Sequence, residues 1–475
     1  MISNAEDVPV MFKPFSLKME EQTMPPIVIN VFKCYFAKLL YGDQGKLTER
    51  EIDPVQPEDI SHYDDLEKYA EPGLKALHKV AVIKLNGGLG TSMGLEKAKS
   101  LITVKDSMTF LDITLRQINH LRDEHKVTVP LVFMNSFKTH LDTMMRIEGF
   151  DNGDTGIPLA FLQHRYPKVL YKDYKPADWP DNPELEWNPP GHGDIYTALV
   201  TSGLLRKLRE RGFTYVFISN SDNLGATLDP RILGFMSQEK LPFVMEVAER
   251  TLHDRKGGHL AKLSKNERFV LRETAQCPDG DMGDFQDIDK HRYFNTNSLW
   301  LDLRAFEKVF VANGMMPLDL IINPKRVDPR NPDSPKCIQL ETAMGSAISA
   351  FADASAVEVP RKRFAPVKTT NDLLVVMSDC YVRTKEEAVH ITPERKLPLP
   401  DVRLDETFYK KIDDFESRFP EGAPSLLHAQ SFTVDGDVLF HKNVEVHDAV
   451  RVINGLSRQV EVEAGKRLEG EITFD

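Results

Sequence analysis

Cysteine is scarce in this chain. Its four cysteines, Cys34, Cys277, Cys337 and Cys380, stand far apart, and with no Cys-x-x-Cys pair nothing suggests a zinc or redox site. Scattered in this way they suit a reducing compartment and the role of small buried hydrophobes. A basic excess is also missing. Lys plus Arg is 60 against 72 for Asp plus Glu, a net charge of -12, which argues against nucleic acid as a general partner but leaves room for a local basic pocket. Long apolar runs are absent. The richest stretch, Ile27 to Tyr41, is interrupted by Asn30, Lys33 and Lys38 and is too short to span a bilayer. Met1 to Pro9 lacks the basic-then-apolar pattern of a signal peptide. The expectation is a soluble, cytoplasmic protein with no membrane partner. The 475 residues are 41% apolar, enough to fill the cores of two or three domains.

The first ~75 residues read as Pro-rich connectors around one helix, in which Phe32, Tyr35, Phe36, Leu39 and Leu40 share a face and Gly42 is the stop signal. Between Pro54 and Pro72 an acidic segment reads as solvated surface. From Lys79 the texture changes. Val80 to Ile83, Leu131 to Met134, Leu159 to Leu162 and Tyr215 to Ile218 are short apolar runs suited to strands buried on both faces of a parallel sheet. A helical stripe lies between two of them, from Ile195 to Leu208. The alternation predicts an α/β fold with ligands at the C-terminal strand ends. Toward the C-terminus Phe432, Val438, Val444, Val450, Leu456, Val462, Leu468 and Phe474 recur every six residues. That period predicts a small parallel β-helix, less regular at its far end.

Directly after the first strand comes Lys84-Leu85-Asn86-Gly87-Gly88-Leu89-Gly90-Thr91-Ser92-Met93-Gly94. Its glycines let the backbone approach a ligand and turn N–H groups toward phosphate oxygens. No register supplies the Gly-x-x-x-x-Gly-Lys-Ser/Thr of a P-loop, and the third glycine of a dinucleotide fingerprint falls one place late, at Gly94. Lys97 and Lys99 follow closely enough to reach back to a triphosphate. A second cluster, Pro189 to Asp194, opens the Ile195 helix, with His192 as a donor to sugar or phosphate and Asp194 as a helix cap. The third, Ser219-Asn220-Ser221-Asp222-Asn223, ends the Tyr215 strand, where one carboxylate suffices for a Mg²⁺ already on nucleotide phosphates. No Ser/His/Asp triad or His-Glu-x-x-His motif is present.

Together these motifs resemble the eukaryotic-type UDP-glucose pyrophosphorylase (UTP–glucose-1-phosphate uridylyltransferase) family over nearly the whole chain. The resemblance runs through Leu85 to Gly94, Lys99, Gly191 to Asp194, Ser219 to Asn223, Asp254 to Gly258, Phe294 to Asn297, Gln339 to Ala343 and Arg363 to Leu374. It implies a nucleotidyltransferase (Rossmann-like) α/β domain with a mixed, mainly parallel sheet over 78–385. A mainly helical segment at 1–77 packs on it, and a left-handed parallel β-helix with its connector occupies 386–475. It further implies that UTP and glucose 1-phosphate give UDP-glucose and pyrophosphate, reversibly, with Mg²⁺ as cofactor.

The resemblance assigns roles by position. Leu85, Asn86, Gly87, Gly88 and Gln163 surround the uridine, with Gly191 nearby. Lys99 and Lys368 contact the phosphates of UTP and of the sugar, and with Asp222 are the catalytic residues. Gly87, Gly88, His192, Asn220, Ser221 and Asp222 line the sugar phosphate, Asp222 also holding Mg²⁺. Lys256, Gly258, Asn297 and Glu341 are further sugar and phosphate contacts. One departure stands out. Where the family has Cys-Lys-Gly-Pro-Lys, this chain reads Leu95-Glu96-Lys97-Ala98-Lys99, so Glu96 adds a negative charge near a phosphate site. Asn86, Met93 and the Asn-x-Asp-Asn cluster favour glucose 1-phosphate over the sugars of the N-acetylhexosamine relatives. The joint presence of Lys99, Asp222 and Lys368 favours an enzyme over a nucleotide sensor. In the family the β-helix joins subunits in some members while others act as monomers; the expectation here is a homo-oligomer joined through the C-terminal domain.

Overall fold

The computed structural model describes residues 7–90, 93–95, 97–251 and 254–475. The four apolar runs become neighbouring parallel strands, Tyr215–Asn220, Val80–Asn86, Leu131–Asn135 and Ala160–Leu162, in that spatial order. Alternate residues of Val80–Asn86 serve two cores. Ala81, Ile83 and Leu85 pack with Ile195 and Leu199 on one face, and Val80 and Val82 with Ile118 and Leu233 on the other. Burial on both faces is why these runs are continuously apolar and not alternating. Beyond Tyr215–Asn220 the sheet continues antiparallel through Tyr293–Asp302 and Phe243–Glu249, then parallel through Ser355–Glu358 and Ser61–His62. This is an α/β fold on a large mixed, mostly parallel sheet. Because the central strands run the same way, Asn86, Asn135 and Asn220 end together on one edge, where ligand loops collect.

Several local expectations give way. The N-terminus holds a second helix, Asp7–Glu21, before the expected one at Pro26–Leu40. Pro14 lies inside this helix. Yet Val8, Phe12, Phe15 and Met19 share one face and are buried against Phe32 and Phe36, with Phe15 and Phe36 ring centroids 4.7 Å apart. Tertiary packing outweighs the lost hydrogen bond. The 54–72 segment is not merely solvated surface. Its Asp64, Asp65 and Glu67 are exposed, but Tyr63 and Leu66 are buried and Ser61–His62 joins the sheet. The stripe from Ile195 to Leu208 is two helices, Ile195–Thr201 and Leu204–Glu210, broken where Gly203 takes a φ of +74°. Cys277, Cys337 and Cys380 are buried as expected, whereas Cys34 is exposed; all four are free.

From Asp401 onward every strand pairing is parallel, which excludes ordinary antiparallel hairpins there. Phe432 pairs with Val450 and Val434 with Val452, each three hexads on. The register then slips, since Val450 faces Gly470 and Val438 faces Val460, and Leu456 and Phe474 are only partly buried. Their apolar side chains share one core with Met93, Ile102, Val104, Leu224 and Val367. The C-terminal strands therefore share a core with the segment behind the glycine loop, and Asp401–Leu404 packs on the Thr370–Met377 helix. No helix among the described residues is long and apolar enough to cross a membrane.

Candidate active site

The three strand ends are laced together by amides. Asn86 is 2% exposed, and its Nδ2 donates to Asn135 Oδ1 and Thr143 Oγ1, both at 2.8 Å. Its Oδ1 accepts from Ser221 Oγ at 3.1 Å. These side chains are spent on one another, so Asn86 has its backbone left to offer a ligand. The Ser221 backbone N–H donates to Leu85 O at 3.0 Å, extending the parallel pairing that ends at Asn220 and Leu85.

Above this lattice the glycine loop, Gln163, Lys99 and Asp222 come together. A Cβ on Gly87 would lie 2.8 Å from Gln163 Nε2, whereas one on Gly88 would meet nothing within 4 Å. Gly88 thus faces open space while its carbonyl accepts from the Lys99 N–H at 3.3 Å. Lys99 Nζ donates to Asp222 Oδ2 at 2.6 Å, with both side chains about a fifth exposed (17% and 21%). An ammonium and a carboxylate at this spacing, open to solvent beside a glycine turn, suit a polyphosphate: the cation can move to phosphate and leave the carboxylate to a metal ion. Thr91, Ser92 and Glu96 lie outside the described residues.

Gly191 enters the second cluster with a φ of +79°, and a Cβ there would sit 2.4 Å from Thr342 O. The Met344 N–H donates to His192 Nδ1 at 2.9 Å, so that nitrogen keeps its lone pair and the proton resides on Nε2. Burial pushes the His192 pKa down to about 4. The neutral ring is therefore a donor through Nε2. Asp194 does not cap the following helix. Its carboxylate accepts from the His164 N–H at 2.6 Å and meets His164 Nδ1 at 2.9 Å. Glu341, beside Gly191, accepts from Asn323 Nδ2 at 3.1 Å, and burial raises its pKa.

The remaining candidates are set on other loops. Asn297 has a φ of +58° and lies on a β-bulge, where Val247 and Glu246 face Asn295 and Ser298 and so skip Thr296 and Asn297. Bulges of this kind re-aim side chains near active sites. The Gly258 carbonyl accepts from the Asn295 N–H at 3.1 Å, and a Cβ on Gly258 would lie 2.5 Å from the Glu273 carboxylate. Burial raises the Glu273 pKa, with the charge of Lys368 opposing the rise. Lys256 and Lys368 are exposed, and among the described residues neither forms an ion pair. Lys368 is not drawn into the Lys99–Asp222 pair.

Three positions behind the site had no assigned role in the sequence. Lys84, within the glycine motif, is 3% exposed and donates to Ser219 Oγ at 2.8 Å and Ala226 O at 2.7 Å; burial and then Arg363 push its pKa down to about 7. Asn223 and Arg363 are buried and tie two loops together. A lysine inside an apolar strand run is a readable signal of a buried polar contact. For Arg363 no such local signal exists, because its partner Glu246 is remote in sequence. Among the described residues no three His, Cys, Asp or Glu side chains converge as a metal site.

The family described as UTP–glucose-1-phosphate uridylyltransferase matches residues 29–447. A pear (Pyrus pyrifolia) UTP–glucose-1-phosphate uridylyltransferase is 41% identical over 428 residues, covering 89% of this chain and 88% of that protein. UTP–glucose-1-phosphate uridylyltransferase 2 of Dictyostelium discoideum is 37% identical over 441 residues, covering 92% and 86%. Among solved structures, a UDP-glucose pyrophosphorylase variant from Leishmania major in complex with UDP-glucose superposes with a TM-score of 0.90 at 39% identity, covering 98% of this chain and 99% of that one. The glycine loop, the amide-laced strand ends and the Lys99–Asp222 pair thus stand in a chain that belongs to the UTP–glucose-1-phosphate uridylyltransferase family.

Proposed function

We propose that the protein joins UTP and glucose 1-phosphate into UDP-glucose, releasing pyrophosphate, and runs the reaction in both directions. A phosphate oxygen of glucose 1-phosphate attacks the α-phosphorus of UTP in line with the departing pyrophosphate. A new P–O bond forms as the bond from the α-phosphorus to the bridging oxygen breaks. The nucleophile is already anionic at neutral pH and needs no general base. What opposes the reaction is repulsion between two polyanions, so catalysis is positioning and charge neutralisation.

The observation that carries this reading is the Lys99–Asp222 ion pair beside the open face of Gly88. In this reading Lys99 and Lys368 hold phosphates. Gly87, Gly88 and Gln163 lie along the uridine, with the Leu85 and Asn86 backbone. His192 Nε2, Asn220 and Ser221 face the sugar phosphate, near Gly191. Lys256, Gly258, Asn297 and Glu341 complete the sugar side. A lone, partly exposed carboxylate fits Mg²⁺, which keeps waters and takes its other oxygens from phosphates. Asp222 would hold the ion, which when bound supplies neutralisation of the phosphate charge.

The same proposal divides the chain into 1–77, a catalytic 78–385, and 386–475, the last winding as a left-handed parallel β-helix able to join copies of the chain. Its support is the all-parallel pairing from Asp401 onward. A cytoplasmic location accords with four free cysteines. The decisive assay is pyrophosphate release with UTP and a panel of sugar 1-phosphates. Turnover confined to glucose 1-phosphate is expected, and preference for N-acetylglucosamine or galactose 1-phosphate would redirect the assignment.

A further inference from the structure

Two loops that the proposed mechanism needs together are remote in sequence and share no catalytic contact. One is the 219–227 turn carrying Asp222; the other is the 363–372 segment carrying Lys368. Asn223 joins them. It is 2% exposed, its Oδ1 accepts from Gly225 N at 3.2 Å and Ala365 N at 2.9 Å, and its Nδ2 donates to Arg363 O at 3.2 Å. Asn223 and Pro366 also form a backbone bridge. The contact is close: a Cβ on Gly225 would lie 2.5 Å from Lys362 O.

Arg363 locks this junction from below. Its Nε and Nη2 reach the two Glu246 carboxylate oxygens, both at 2.8 Å, and Nη2 also donates to Thr227 O at 2.8 Å. On the far side, the Lys368 N–H donates to Asp372 Oδ2 at 2.8 Å, in the cap of the Thr370–Met377 helix. Lys368 thus sits two residues from the Pro366 bridge and at the start of a capped helix. Asp222 is adjacent to Asn223. Little chain is left between them to absorb a change in spacing.

We propose that Asn223, backed by Arg363, is a positioning residue that holds the Asp222 carboxylate and the Lys368 ammonium in one rigid frame. An amide suits the place because one side chain must accept from two N–H groups and donate to a carbonyl, all out of water. The proposal rests on the phosphate roles given above to Asp222 and Lys368.

The test is a double-mutant cycle of N223A and K368A in the full chain, with kcat, both KM values and the thermal midpoint measured for each variant. A folded N223A should lose ~10²-fold in kcat, the scale for a displaced catalytic group, while KM for UTP moves less than ~3-fold. In the K368A background the same change should cost ~10-fold less than it does in the wild-type chain, because one of the two groups held in the frame is already gone. Should N223A not fold, N223S keeps an acceptor and takes its place in the cycle under the same criteria. Multiplicative losses, or wild-type kcat in a folded N223 variant, would overturn the proposal. Near-normal turnover of K368A alone would be a different failure: it removes the phosphate role of Lys368, and the proposal with it.

Discussion

Lys99 and Asp222 form an ion pair, Nζ to Oδ2 at 2.6 Å, across 123 positions of sequence. Each group is positioned to be taken over, the ammonium by phosphate and the carboxylate by a cation, so phosphate and metal binding should be coupled. D222N keeps the shape but loses the charge. Its kcat should fall ~10²-fold or more across a magnesium titration, the scale for a transition-state electrostatic group. Near-normal turnover throughout the titration would remove Asp222 from the metal role.

K99A and K368A should each lose ~2–4 kcal/mol of transition-state stabilisation, read as RT ln of the ratio of kcat/KM. K99R and K368R should recover part of it, since guanidinium keeps the charge in a different geometry. Mass spectrometry after incubation with UTP alone should find no uridylylated lysine; a covalent adduct would contradict a clamp.

Gly88 and Gly191 should separate ligand space from backbone constraint. A Cβ on Gly88 meets nothing within 4 Å, so G88A should keep the wild-type thermal midpoint while raising KM for UTP ~10-fold or more. A Cβ on Gly191 would stand 2.4 Å from Thr342 O at a φ of +79°, so G191A should lower stability by ~1–3 kcal/mol. An unaltered KM in G88A would argue that the loop does not cradle nucleotide.

His192 should impart an acid limb to stability. Burial lowers its pKa from 6.5 to about 4, so below 6.5 the unfolded chain binds this proton and the folded one does not. Stability then falls with pH across that window and levels off below about 4. Protonation of Nδ1 would also break its bond from the Met344 N–H. H192Q, which can still accept that N–H, should show a shallower fall of thermal midpoint between those pH values. Parallel curves for the two proteins would refute the assignment.

Arg467–Phe474 is the edge of the C-terminal sheet, with Ile472 and Phe474 half-buried upon it. If copies join through this edge, the full chain should sediment as an oligomer at micromolar concentration, and I472E with F474E should return it to monomer. Removing the whole C-terminal region is a poor test, because its core is shared with Met93 and Val367. A monomeric wild-type chain would end the assembly proposal.

Much of this fold was readable because burial on both faces writes itself locally: the runs at Val80, Leu131 and Tyr215 suit inner strands, and their alternation with helical stripes points to a parallel sheet. The hexads from Phe432 were equally legible, up to the slip after Val450 that inserted residues conceal. Less legible were the Asp7–Glu21 helix, which holds Pro14, and the break at Gly203, where a continuous apolar stripe hid a left-handed residue. The site divides in the same way. As candidates, the glycines and Asp222 announce themselves by residue type and place at strand ends, and His192 by its place ahead of a helix. The same residue types do not show that Asn86 and Ser221 face each other, or that the Asp194 carboxylate goes to His164.

By itself, then, the sequence determined the layered α/β architecture, because hydrophobic periodicity is a local property of the chain, and its motifs carried the resemblance from which the candidate residues were assigned. Only the tertiary structure decided which candidates meet. It paired Lys99 with Asp222, left Lys368 exposed on its own capped segment, and buried Lys84, Asn223 and Arg363 beneath the loops that carry the charges. The physical reason is that a buried polar group must find its partner wherever the chain brings one, and that partner is set by packing over a hundred residues or more away, not by its neighbours in sequence.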